Sequence, residues 1–144
     1  MFGKKKNERV IDDWQGLQDV LIGDLDAEET GSGALQFTVE WKSEKRKRNV
    51  TVAYAPVGEL GQIAYITAPI IESPRDAQVR EAMEEAAKFL EGGVVFADGA
   101  LSLRSSLPFQ GMSRTAIIRV SRQVSANADV LAASFEEDEE EGLH

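Results

Sequence analysis

Cysteine is absent from this chain, which excludes disulfides, thiolate metal sites and a cysteine nucleophile together. Folding therefore needs no oxidising compartment. Histidine is almost as scarce. His144 is the only one, so no Ser-His or other histidine-based acid–base pair is available. Long apolar runs are missing as well. No window approaches the roughly 18 consecutive apolar residues of a membrane-spanning helix. Lys4–Lys6 is followed by Asn7-Glu8-Arg9, polar where a signal peptide needs an apolar stretch. Phe2 stands where myristoylation needs a glycine. The expectation is a cytoplasmic protein with no membrane association.

Other absences narrow the chemistry. Gly31-Ser32-Gly33 and Gly92-Gly93 match neither Walker nor GxGxxG spacing and read as turn and cap glycines. Asp12-Asp13, Glu28-Glu29 and Glu84-Glu85 are adjacent in sequence, and neighbours on a helix diverge by about 100°, so they share no pocket. Glu136-Glu137-Asp138-Glu139-Glu140-Glu141 has neither the alternating ligands nor the central glycine of an EF-hand. We therefore expect no enzyme, cofactor, metal or small-molecule substrate.

What the chain does have is charge and alternation. It carries 25 acids against 16 Lys and Arg over 144 residues, a formal charge of −9. Setting aside the six acids of 136–141 leaves 19 against 16, so the body is mildly acidic. Wholesale attraction to nucleic acid or anionic lipid is therefore not expected.

Val10, Ile11, Trp14, Leu17, Val20, Leu21 and Leu25 follow helical spacing, which predicts a helix over 7–25. Leu35, Phe37, Val39 and Trp41 alternate with Gln36, Thr38 and Glu40, a half-buried strand. Asn49–Ala55 repeats the pattern, and Gln62–Pro69 is apolar on both faces, as in a central strand. Pro74, after Ser73 as a possible cap, opens a second helix to about Glu91, with Val79, Ala82, Met83, Ala86, Phe89 and Leu90 inward. A hairpin over 94–107 turns on Asp98-Gly99. A third helix runs from Ser113 to about Phe135, and the acids beyond it are expected to be disordered.

These elements define one domain over 7–135, with a basic segment 1–6 before it and an acidic tail 136–144 after it. The fold class is an α+β two-layer sandwich of order α-βββ-α-ββ-α. Its five-stranded antiparallel sheet has helices on one face.

Leu101-Ser102-Leu103-Arg104-Ser105-Ser106-Leu107-Pro108 is a strand ending in Arg-x-x-Leu-Pro. Phe109–Ser113 and a helix ending in the pattern Ala126–Ala133 follow it. This stretch, with the element order, resembles the YbjN-like family of small bacterial proteins, whose fold is that of type III secretion chaperones. The local match covers about a quarter of the chain, and the element order covers nearly all of it. The motif is a packing pattern rather than a chemical one. The resemblance implies a non-enzymatic protein-binding or chaperone-like module, often a homodimer, with an unknown protein client. Lys45–Arg48 and the acidic tail depart from the pattern, so it implies nothing about them.

Several residues could serve a partner. Lys42, Lys45, Arg46, Lys47 and Arg48 form a basic hairpin tip. It could contact an acidic segment or a nucleic-acid backbone, protect a sheet edge as a solvated turn, or pair with the chain's own acidic tail. Gln36, Thr38, Glu40, Thr51, Ala53, Ser102 and Arg104 would form the sheet face opposite the helices, open to solvent or to a partner segment. Trp14 is either core or an interface residue. Partner-binding candidates are thus Trp14, Thr38, Thr51, Arg104, Lys45, Arg46, Lys47 and Arg48. The alternative function is a regulatory nucleic-acid-associated protein using Lys42–Arg48.

Overall fold

Asp13 starts the first helix by accepting the Gly16 N–H on its side chain at 2.8 Å, which satisfies one of the orphan amides of a helix N-terminus. That cap places the helix start later than the 7–25 periodicity predicts. In the computed structural model, which describes residues 10–31, 33–41, 46–89, 91–97 and 99–142, Val10–Ile11 (β1) precedes α1 (Trp14–Leu25). There follow β2 (Glu28–Glu29), β3 (Leu35–Trp41), β4 (Arg46–Pro56) and β5 (Gln62–Glu72). The order continues with α2 (Asp76–Ala86), β6 (Gly93–Ala97), β7 (Ala100–Pro108), β8 (Met112–Ser113) and α3 (Arg114–Gly142). Asp98, Leu90, Lys4–Lys6, Lys42–Lys45 and His144 lie outside the described residues.

Among the described residues the architecture is α+β, with three α-helices and an antiparallel sheet of order β2-β3-β4-β5-β7-β6. It has six strands where five are expected, because Glu28-Glu29 pairs with Gln36 and Leu35. A separate two-stranded ladder joins β1 to β8, pairing Val10 with Ser113 and Ile11 with Met112. Both additions are two residues long and lack the alternation that reveals a strand in sequence.

Helix boundaries differ too. Ser73 adopts φ 46° and is no cap. The Gln78 side chain instead accepts the Arg75 N–H at 2.9 Å, so α2 begins at Asp76 and ends at Ala86. Gly92 is required for a reason beyond capping. Its φ is 102°, and a Cβ there would fall 2.6 Å from Leu103 Cγ. The last helix continues through Glu136–Gly142, where a disordered tail is expected. Glutamate is a good helix former, and Glu136 is bound by Arg48 at 3.1 Å.

β5 is central, as its two-sided apolarity implies, and extends to Glu72. Pro69 sits beyond the last pairing with β4, Thr51 to Thr67, and beside a register shift with β7. Its missing N–H therefore costs no bond to β4.

One sheet face is closed. Leu35, Val50, Val52, Ala64, Ile66, Ala68, Leu101 and Leu103 are fully buried there. They pack with Leu17 and Leu21 of α1, Ala82 of α2, and Ile117, Val120, Val124, Leu131 and Phe135 of α3. The removal of this apolar surface from water is the main stabilising term.

Candidate functional site

Among the described residues no helix lies on the other face. Pairing registers align Gln36, Thr51, Thr67, Arg104 and Gly93 across β3, β4, β5, β7 and β6. Because side chains alternate along a strand, these residues share the outer face with Thr38, Glu40, Ala53, Tyr65 and Ser102. Thr51, Tyr65, Thr67, Glu72, Ser102 and Arg104 line a shallow concavity of about 450 Å³. Arg104 Nε donates to Thr67 Oγ1 at 3.0 Å. Its guanidinium carbon stands 5.4 Å from the Tyr65 ring centroid, within cation–π range. Ser102 on this face is 2% exposed, although among the described residues no helix covers it.

Of the expected partner-binding residues, the fold brings Thr51 and Arg104 into one concavity. Thr38 shares their face and donates to Asn49 Oδ1 at 2.9 Å. Trp14 belongs to the opposite layer, where its ring stacks on Tyr54 with centroids 4.5 Å apart. Tyr54 in turn lies 6.2 Å from Phe109. Trp14 therefore joins α1 to the sheet rather than facing the outer surface.

The basic run is divided by alternation. Lys45 lies outside the described residues. Lys47 is exposed and pairs in register with Glu40. Arg46 and Arg48 point to the helix side, where Arg46 Nη2 meets Asp129 Oδ2 at 2.8 Å and Arg48 Nε meets Asp129 Oδ1 at 3.2 Å. Arg48 also reaches Glu136. Asp129 is buried, its side chain only 5% exposed. Two cations expected at a hairpin tip thus tie β4 to α3.

Tyr65 and Thr67 were missed from the sequence because β5 is apolar on both faces, and only the β5–β7 register sets them beside Arg104. Asp129 was missed because it sits in a helix of Ala, Val and Ser with no local mark of its role.

A second cavity, of about 480 Å³, lies between β1 and α1 and includes Asp13, Asp24 and Arg114. Arg114 bonds Asp24 through Nε at 2.6 Å and Nη2 at 2.7 Å. The Arg114 hydrogen bond, reinforced by its charge and opposed by desolvation, holds the Asp24 carboxyl below its usual range. Among the described residues no group of acidic or histidine side chains could hold a metal ion, and no helix is long and apolar enough to cross a membrane.

The chain matches no family model and no curated protein.

Proposed function

We propose that the chain is a cytoplasmic, non-enzymatic binding protein, chaperone-like or adaptor-like, that holds a segment of a partner protein against its outer sheet face. The proposal includes membership of the YbjN-like family with the secretion-chaperone fold. The supporting observation is the asymmetry of the sheet. Among the described residues one face is sealed by three helices, while the other is left open with Tyr65, Thr67, Ser102 and Arg104 grouped in a concavity. An open antiparallel face presents alternate side chains outward, and its small, hydroxyl-bearing ones can donate to or accept from the backbone of an extended segment laid across it.

The homodimer implied by the resemblance would suit the β6 edge. Gly93–Ala97 contains no charged residue, and Phe96 on it is 62% exposed, whereas solitary edges are usually blunted by charge or proline. The nucleic-acid reading draws no support from Arg46 and Arg48, whose guanidiniums are engaged by Asp129 and Glu136.

Affinity capture from native lysate tests the proposal, using wild type beside Thr51→Arg, which places bulk on the outer face. A protein held stoichiometrically by wild type and released by the variant is expected. No retained protein, or one indifferent to the outer face, would refute it.

A further inference from the structure

We propose that Arg104 is the anchor for a side-chain carboxylate carried by an extended acidic peptide segment; this rests on the segment-binding reading above. The described arginines differ in how they are neutralised. Arg46, Arg48, Arg114 and Arg119 each have a carboxylate within 4 Å. Arg104 has none among the described residues, nor do Arg75, Arg80 and Arg122, but Arg104 is fixed from two sides, by the Thr67 hydroxyl and the Tyr65 ring. Those contacts use Nε and one face of the guanidinium. The terminal nitrogens remain as donors in a fork that matches the two oxygens of a carboxylate. Holding the side chain in place before binding lowers the ordering cost that a flexible surface arginine would incur.

The chemical class follows from charge and shape. Among the described residues Arg104 is the only cation lining the concavity, and Glu72 lines it too. One positive charge near one negative charge suits a monoanion and disfavours a phosphate dianion or a polyphosphate backbone. Thr51 and Thr67 stand in register with Arg104 on consecutive strands. They supply hydroxyls that can donate to a peptide carbonyl or accept from a peptide N–H. The shallowness of the concavity favours a chain that passes through it over a small molecule enclosed by it.

The test is a titration of the full-length, ¹⁵N-labelled protein at low salt, reading the Arg104 Nε–Hε signal and the Thr67 and Ser102 amides. The probe is the capped peptide Ala-Thr-Glu-Thr-Ala, compared with its glutamine counterpart and with inorganic phosphate. Saturable shifts at all three positions are expected with the glutamate peptide. Binding should weaken at least about tenfold with the glutamine peptide or with Arg104→Gln, as loss of a charge-assisted bidentate contact implies. Arg104→Lys should fall between, keeping charge but losing the fork. Equal shifts from both peptides would overturn the carboxylate anchor while leaving segment binding intact. Shifts from phosphate alone, or no response at Arg104 to either peptide, would also overturn it. The peptide comparison uses wild-type protein, so the outcome does not depend on any variant folding.

Discussion

The two faces of one sheet use arginine in opposite ways. On the helix side, Arg46 and Arg48 converge on buried Asp129 and are spent in holding β4 to α3. On the outer side, Arg104 is held by a hydroxyl and an aromatic ring, neither of which cancels its charge. Removing charges from water is expensive unless they are paired, so the closed face must neutralise its cations internally. The open face can leave one for a ligand because solvent still reaches it. Function is therefore sought where charge is positioned without being neutralised.

Truncation at neighbouring positions of β5 should have very unequal effects. Ile66 is fully buried on the closed face, and Ile66→Ala should cost about 3 kcal/mol, lost transfer energy plus cavity. Thr67→Ala, one residue away on the open face, should cost about 1 kcal/mol or less while releasing Arg104 from its hydroxyl. Urea denaturation measures both; equal losses would mean that the faces are not energetically distinct.

The next largest effect concerns the arginine pair. Asp129→Ala leaves two guanidiniums without their shared buried carboxylate and should cost about 2 kcal/mol. Glu136→Ala removes an exposed partner, 60% accessible, and should cost about 0.5 kcal/mol or less, diminishing further in salt. If Asp129→Ala were as mild as Glu136→Ala, the β4–α3 tie would not be structural.

The smallest effect is at the surface pair Arg114–Asp24. Because Arg114 depresses the Asp24 pKa in the folded state, this pair stabilises above the unfolded carboxyl pKa of about 3.9. The contribution is lost as pH falls through the lower folded value. Thermal melts of wild type and Asp24→Asn should differ slightly at neutral pH and converge as pH drops below the usual carboxylate range. A gap that widened on acidification would contradict the depressed pKa.

Much of the architecture is legible in residue order because period-2 alternation is imposed by a sheet with one wet face. Leu35 and Phe37 are buried opposite exposed Gln36 and Thr38, as the pattern predicts. Val50 and Val52 are likewise buried, while Thr51 between them faces outward. β1, β2 and β8 leave no such trace. Each is two residues long, and their pairing comes from partners brought near by the rest of the fold. Helix ends were shifted by side-chain bonds that hydropathy does not encode, Asp13 to the Gly16 N–H and the Arg75 N–H to Gln78.

The candidate site was legible in part. Thr51 and Arg104 can be assigned to the outer face from alternation within their own strands. That Arg104 lies beside Thr67 and Tyr65 depends on β7 crossing over to pair with β5, a contact between residues 37 positions apart. The basic run teaches the converse. Five cations in seven residues look like a surface patch, yet β4 begins inside the run and turns Arg46 and Arg48 toward α3.

Hydrophobic order along the chain was enough to establish the layers and which side of each strand is dry, since burial follows directly from local periodicity. Which charges would be cancelled and which left available was settled only when distant strands and the last helix came together. An ion pair is a matter of distance in space, and nothing in a residue's neighbours along the chain specifies that distance.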